Sequence, residues 1–151
     1  MKTFKSKLRE VSAIYKAGPD ISNIKITKSS DVNELVRKIF PVDINYREAM
    51  VVLYLNNSNR TISYGIASIG SITGTLVDIR LVLRDALLSL ATGIILVHNH
   101  PSGNLTPSNT DKQLTQKVKE AGKLMEIKLL DHLIITENDY YSFMDDGIFN
   151  F

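Results

Sequence analysis

The chain of 151 residues has the length of a single domain, and 44% hydrophobic residues are enough to form a buried core. Its net charge of +2 is too small to require a nucleic-acid partner. The chain contains no cysteine, which excludes disulfide bonds and thiolate metal sites. The sequence shows neither a signal peptide nor a membrane-spanning run, so it predicts a cytoplasmic protein without membrane association.

The N-terminal region predicts a turn and one helix. Gly18-Pro19-Asp20 is typical of a turn. A helix is predicted near residues 31–40, because Ser29, Ser30 or Asp31 can cap its start and Pro41 ends it. Its expected buried face consists of the apolar residues Val32, Leu35, Val36 and Ile39.

A hairpin and a second helix are predicted next. The apolar run Ala49–Leu55 is typical of a buried strand, and the Asn- and Ser-rich residues 56–59 predict a hairpin loop that leads into Thr61–Ser68. A loop follows between Gly70 and Gly74, and a helix is predicted over Ile79–Ala91. The expected buried stripe of this helix is Ile79, Leu83, Ala86, Leu87 and Leu90.

Two histidines follow a short apolar strand. Residues Gly93–Val97 predict a buried strand that runs directly into His98 and His100. Side chains two residues apart lie on the same face of a strand, and Pro101 disfavours a helical conformation at His100. Both imidazoles are therefore expected to point to one place at the end of the sheet. A His-x-His pair alone is weak evidence for a metal, but the strand before it and the Pro-Gly loop after it strengthen that interpretation.

The next helix, predicted from about Ser108 to Met125, carries a carboxylate near its start. Its expected apolar stripe is Leu114, Val118, Ala121 and Met125. Steps of three residues along the helix place Asp111 and Ser108 on the same inward face. These two residues also fit a capping box, which is a purely structural role. Alternatively, Thr106 caps the helix with Pro107 at its first position, which frees Ser108 and Asp111 for chemistry.

These residues predict a zinc site with a general base beside it. Two imidazoles and one carboxylate, here His98, His100 and Asp111, are a usual ligand set for catalytic zinc, with water in the fourth position. Glu48 is one candidate base, because a carboxylate at the start of a buried strand has no packing role. Three other carboxylates stay open as alternatives: Asp43, Asp78 and Asp131.

The C-terminal region predicts a strand over Ile127–Thr136 and a short aromatic segment after it. His132 is expected to be a half-exposed histidine of this strand. The alternative is a supporting role for Asp131 and His132 behind the metal ligands. The aromatic residues Tyr140, Tyr141 and Phe143 are expected to pack in the core rather than to line a substrate groove.

The spacing of the polar residues resembles a known signature. The order His98, one residue, His100, seven residues, Ser108, two residues, Asp111 is similar to the JAMM motif of JAB/MPN domains. The longer string His98–Gly103 resembles the RadC branch of that group. Further similarity to RadC proteins lies at Arg47-Glu48, Arg80 and Leu130-Asp131-His132.

The resemblance covers about residues 47–143 and implies an α/β fold. The expected architecture is a JAB/MPN (cytidine-deaminase-like) mixed β-sheet flanked by helices in a single domain. Residues 1–46 are assigned to an N-terminal extension and residues 47–151 to a RadC-like JAB/MPN domain. The helix-hairpin-helix region that precedes this domain in full-length RadC proteins is expected to be absent.

The resemblance also implies a function and a division of roles. It implies Zn²⁺ held by His98, His100 and Asp111, and catalytic roles for Glu48 and Ser108. Relatives of confirmed function cleave isopeptide bonds, so the expected activity is that of a zinc metallopeptidase or isopeptidase acting on a protein or peptide. Two alternatives are a DNA-repair-associated protein that binds DNA and a non-catalytic interaction module.

Overall fold

The computed structural model describes residues 11, 12, 14, 16, 23–70 and 76–151. The turn predicted at 18–20 and most of the loop predicted at 70–74 lie outside these residues. None of the helices within the described ranges has the length and apolar character needed to cross a bilayer. The elements in chain order are α1 (Ser29–Arg37), β1 (Ala49–Leu55), β2 (Thr61–Ile69), α2 (Ile79–Leu88), β3 (Gly93–Asn99), α3 (Asn109–Leu124), β4 (Lys128–Ile135) and β5 (Tyr140–Ser142).

The five strands form one mixed sheet in the order β2-β1-β3-β4-β5. Strand β1 pairs antiparallel with β2 and β3, and β5 pairs antiparallel with β4. Strands β3 and β4 are parallel, because the connecting helix α3 returns the chain to the edge of the sheet at which β3 begins. The predicted single α/β domain with a mixed sheet and flanking helices is confirmed.

Helices cover both faces of the sheet, which explains why every residue of β1 and β3 is buried. Helix α1 packs on one face of the sheet, the α1 face, against alternate residues of the central strands. The buried residues of this layer include Val36, Val51, Leu53, Ile95, Val97, Leu133 and Ile135. Helices α2 and α3 pack on the other face, the α2/α3 face, against the intervening residues of the strands. The buried residues of this layer include Val52, Tyr54, Val82, Ala86, Leu96, Val118 and Leu129.

Helix α1 begins earlier and ends earlier than the predicted helix near 31–40. The Asp31 carboxylate lies inside the first turn, where it accepts the backbone N–H groups of Thr27 and Lys28 at 2.8 and 3.1 Å. Asp31 therefore caps the start of the helix from a position in its first turn. The predicted buried face is confirmed, because the apolar residues Val32, Leu35, Val36 and Ile39 are all buried.

The predicted stripe of α2 is wrong at two positions. The helix ends at Leu88, and Leu90 beyond it has a left-handed backbone with φ of 56°. Leu90 is therefore exposed, Leu87 is exposed within the helix itself, and the buried residues of α2 are Val82 and Ala86. The sequence pattern continued the periodicity past the real end of the helix.

The predicted stripe of α3 is rotated by about one position. The buried residues are Thr115, Val118 and Gly122, whereas Met125 is 42% exposed. A Cβ atom at Gly122 would lie 2.5 Å from the backbone oxygen of Ile127. Only glycine therefore allows the end of α3 to lie this close to the backbone that leads into β4. The helix thus turns a hydroxyl and a glycine inward, and both escape a search for apolar residues.

Strand β4 contains one extra residue. Leu130 is skipped by the ladder, because the residues on either side of it pair with the successive residues Ile94 and Ile95 of β3. Side chains alternate between the two faces, so this irregularity exchanges the faces of all later β4 residues. His132 consequently lies on the α2/α3 face. Gly93 leaves the space for Leu130, since a Cβ atom there would lie 2.7 Å from Leu130 Cδ1.

Candidate metal centre

The end of β3 delivers two imidazoles to one place. His98 is still within the ladder, paired with Met50 of β1 and Ile134 of β4, and is 2% exposed. His100 lies one step beyond the strand and remains on the same face. Their Nε2 atoms are 2.9 Å apart. The structure thus brings the two histidines together as the sequence spacing predicted.

The N-terminus of α3 supplies the carboxylate. Ser108 is the N-cap: its Oγ accepts the Asp111 N–H at 3.1 Å, and Asp111 Oδ2 accepts the Ser108 N–H at 2.7 Å. The alternative start at Thr106 and Pro107 is therefore wrong. The capping box does not withdraw Asp111 from the site, because its Oδ1 lies 3.2 Å from His98 Nε2. Its Oδ2 lies 3.4 Å from the Nε2 atom of His100.

The three groups have the spacing of a metal ligand set. Ligand atoms of His98, His100 and Asp111 all lie within 4.8 Å of one another, and the closest contacts are 2.9–3.4 Å. Zinc binds nitrogen and oxygen at about 2.0–2.2 Å, so tetrahedral geometry separates two ligands by about 3.3–3.5 Å. Nitrogen and carboxylate donors also suit this metal chemically. The residues therefore fit a zinc ion.

Hydrogen bonds behind the rings orient both histidines. His100 Nδ1 lies 2.6 Å from the backbone oxygen of Asn104, so Nδ1 donates and Nε2 keeps its lone pair. His98 Nδ1 lies 2.8 Å from Nε2 of His132. His132 is completely buried, so the predicted half-exposed histidine is wrong. The physical reason is that helices cover both faces of β4, and the skipped residue Leu130 places His132 on the α2/α3 face, beside His98.

The charges of the centre are strongly coupled. Burial alone would raise the pKa of Asp111, but hydrogen bonds with His100 and His98 outweigh it and hold this pKa well below its ordinary value. Burial lowers the pKa of His100, whereas its hydrogen bonds to Asp111 and to the Asn104 carbonyl oxygen raise it, with a net upward shift. The carboxylate is thus kept ionised beside the two rings.

Glu48 lines the same cleft from the start of β1. Burial raises the pKa of the Glu48 carboxyl, and nearby charge on His98 and His100 opposes this shift without reversing it. Of the other candidate bases, Asp43 accepts the Asn45 N–H and Asp78 caps α2. Asp131 accepts hydrogen bonds from Ser142, Met144 and His132. None of these three carboxylates lines the cleft.

Asn99, between the two histidines, holds the segment that carries Glu48. It is fully buried and points away from them, toward the α1 face. Its Oδ1 accepts the Ala49 N–H at 2.8 Å, and its Nδ2 donates to the backbone oxygens of Ile44 and Arg47 at 2.7 and 2.9 Å. No sequence pattern gave Asn99 a role, and its place at the end of a buried strand, between two histidines, was the available signal.

The three candidate ligands lie in the wall of a cleft of about 900 Å³. Glu48 and Ser108 line it together with His98, His100 and Asp111. Apolar side chains and the small polar side chains of the loop after β3 complete the wall. None of the described residues that line this cleft is a lysine or an arginine.

A sequence profile of the RadC-like JAB domain matches residues 26–148. The chain belongs to the RadC-like JAB domain family. The matched RadC-like region includes α1, which packs on the sheet. The domain boundary at residue 47 stays a prediction.

The RadC-like chain is also similar to curated bacterial proteins. A UPF0758 protein of Flavobacterium johnsoniae is 53% identical over 125 residues, which are 83% of this chain and 54% of that protein. A UPF0758 protein of Chlorobaculum tepidum is 40% identical over 126 residues, or 83% and 56% of the two chains. One of Aquifex aeolicus is 36% identical over 141 residues, or 93% and 59%. The chain therefore spans a little more than half the length of these relatives.

Proposed function

We propose that this RadC-like JAB domain is a zinc-dependent hydrolase that cleaves an amide bond in a protein or peptide. The observation that carries the proposal is the convergence of three ligand atoms at 2.9–3.4 Å, in a cleft that also contains a half-buried carboxylate. Zinc would be held by His98, His100 and Asp111. When bound, zinc supplies a water of lowered pKa and polarises a carbonyl oxygen.

Glu48 is the proposed general base and acid. It accepts a proton from the attacking water as the new carbon–oxygen bond forms. It then gives that proton to the amine nitrogen as the carbon–nitrogen bond breaks. A carboxyl whose pKa is raised toward neutrality suits both transfers. Asn99 keeps Glu48 in place through its bonds to the neighbouring backbone.

Ser108 is the proposed oxyanion donor. Its hydroxyl oxygen accepts the Asp111 N–H, and its side chain is also hydrogen-bonded to the Asp111 carboxylate. When that carboxylate binds a metal, the O–H can turn to donate a hydrogen bond to the oxygen that becomes negative in the tetrahedral intermediate. Loss of such a donor typically raises the barrier by about 2.7–4 kcal/mol.

The charge of the cleft favours a neutral amide over a phosphodiester as the substrate. Enzymes that bind phosphates use lysine, arginine or helix N-terminal groups to offset the negative charge. The described lining of this cleft has no lysine or arginine, and the one helix N-terminus in it, that of α3, already bonds to the Ser108 and Asp111 side chains. DNA binding or DNA cleavage is therefore not the function proposed for this cleft.

The experiment compares zinc-loaded wild type with Glu48→Gln on two substrates. One is a proteome-derived peptide library, with new N-termini read by mass spectrometry, and the other is a panel of isopeptide-linked lysine peptides. We expect wild type to cleave and Glu48→Gln to be about 10²–10⁴-fold slower with unchanged zinc content. A wild-type enzyme that cleaves neither, or a Gln variant that cleaves equally fast, would contradict the proposal.

A further inference from the structure

A chain of hydrogen bonds runs behind the candidate metal centre from α3 to β3. Thr115 Oγ1 lies 2.6 Å from the backbone oxygen of Asp111 and 2.7 Å from Nδ1 of His132. A carbonyl oxygen can only accept, so the single hydroxyl proton of Thr115 is donated to Asp111. The hydroxyl oxygen must then accept from His132, which places a proton on Nδ1 of that ring.

The ring of His132 in turn determines which nitrogen of His98 carries the proton. His132 is completely buried, stacked on Phe143 at 4.7 Å between ring centroids. Among the described residues its ring nitrogens bond only to Thr115 Oγ1 and His98 Nδ1, and a charge buried without an acidic partner is strongly disfavoured, so the ring is neutral. A neutral imidazole carries one N–H, and with Nδ1 protonated its Nε2 is an acceptor. His98 Nδ1, at 2.8 Å, must therefore be the donor.

The consequence appears at the metal side of His98. With its proton on Nδ1, the ring presents a bare Nε2 lone pair toward His100 Nε2 and Asp111 Oδ1. Only this tautomer can bind a metal through Nε2 without first losing a proton. His100 reaches the same state through a backbone oxygen, which cannot change role. The state of His98 depends on two side chains.

We infer that Thr115 and His132 are positioning residues that fix the Nδ1–H tautomer of His98 and thereby present its Nε2 lone pair to zinc. The inference rests on the metal centre of the proposed function, but not on the hydrolysis of any substrate. Without the Thr115 hydroxyl, His132 can place its proton on Nε2 instead. His98 Nδ1 then accepts a hydrogen bond from that N–H, and the single proton of the His98 ring moves to Nε2, where it blocks the metal.

The first test measures zinc affinity by competition with a chromogenic chelator. Thr115→Val keeps the shape of the side chain but removes the hydroxyl, and we expect zinc to bind about 10–100-fold more weakly. Thr115→Ser keeps the hydroxyl and should restore wild-type affinity. Val118→Ala is the matched packing control, because Val118 is fully buried on the same helix within the apolar cluster. It should lose stability and keep its zinc affinity.

The second test reads the tautomers directly from the ¹⁵N shifts of the imidazole rings in zinc-free protein. At about pH 9 an ordinary histidine is neutral, so each ring reports one protonated nitrogen. We expect Nδ1–H at both His98 and His132 in wild type and in Thr115→Ser. Thr115→Val should move protons to Nε2. An Nε2–H form of His98 in wild type would overturn the inference.

The two proposals fail separately. If wild type binds zinc but cleaves no amide, the proposed function fails and the positioning inference stands. If Thr115→Val binds zinc as tightly as Thr115→Ser, the positioning inference fails and the proposed function stands. The tautomers are measured without zinc, so their result decides the inference whether or not the wild type binds the metal.

Discussion

The two faces of the sheet bury polar groups in different ways. On the α1 face, Asn99 and Asp131 use their side chains to hold neighbouring segments, and most of their partners are backbone groups. On the α2/α3 face, buried Thr115, His132 and His98 bond to one another in series. Within the described residues, every buried side-chain nitrogen and oxygen has a hydrogen-bond partner on both faces.

The difference lies in where these bonds end. On the α1 face they end in backbone groups, so removing one weakens the fold locally. On the α2/α3 face the series ends at the Nε2 atom of His98, where His100 and Asp111 converge. One face therefore serves stability, and the other also prepares ligand atoms. Four predictions test this division.

The largest effect is expected for His100→Ala. Removing one of three ligands from an open site should reduce the bound zinc to background, because two donors rarely hold the metal. Elemental analysis of purified protein, after equilibration with equal zinc, measures this loss. Stability of the zinc-free protein should change little, since His100 lies outside the strands. A variant that retains wild-type zinc would remove His100 from the ligand set.

The α1 face should show the opposite response. Leu133 is fully buried there, and Leu133→Ala should reduce the free energy of unfolding by about 2–5 kcal/mol through lost burial and a new cavity. Urea denaturation of zinc-free protein measures the loss. Zinc affinity at a temperature where the variant is folded should equal that of wild type. A parallel loss of zinc affinity would show that the two faces are not separable.

Asn99 has both a structural role and a link to the site, because it lies on the α1 face but holds the segment that bears Glu48. Asn99→Leu removes all three of its hydrogen bonds and should cost about 1–3 kcal/mol of unfolding free energy. We also expect faster amide exchange at Ala49 and unchanged zinc affinity. If exchange at Ala49 stays as slow as in wild type, Asn99 is not what holds this segment.

The smallest effect is the dependence of zinc affinity on pH. Protons compete with zinc for the ligands. Burial lowers the pKa of His100, but its hydrogen bonds to Asp111 and Asn104 outweigh burial and raise this pKa above its ordinary value. Affinity should therefore fall as pH drops through that raised pKa, by about tenfold, or 1.4 kcal/mol, for each further unit. Zinc titrations at several pH values measure it, with Leu133→Ala as a control that should show the same profile.

Much of the architecture follows from local patterns. The apolar runs of β1 and β3, the polar hairpin loop and the alternation at His98 and His100 each predicted what the structure contains. Helical spacing placed Asp111 on the inward face of its helix, and the structure brings its carboxylate beside both histidines. These features depend on residues close together in the sequence, for which periodicity is a sufficient guide.

The rest depended on contacts that no local pattern encodes. His132 was predicted to be half-exposed because no local pattern shows that helices pack on both faces of β4, and the skipped residue Leu130 has no signature either. The inward face of α3 was misjudged because Thr115 is polar and Gly122 is small, yet both are buried for their tertiary contacts. Asn99 was overlooked because its three partners lie about fifty residues away in the chain.

The skipped position at Leu130 also sets a counting rule for this strand. Shortening β4 by that one residue would restore ordinary alternation and leave its composition almost intact. It would leave each later residue opposite its present partner in β3, so the imidazole of His132 would keep its place behind His98. A change of one residue is therefore tolerated at the skipped position, whereas a change of one residue within the paired segment beyond it would turn the side chains that follow to the opposite face.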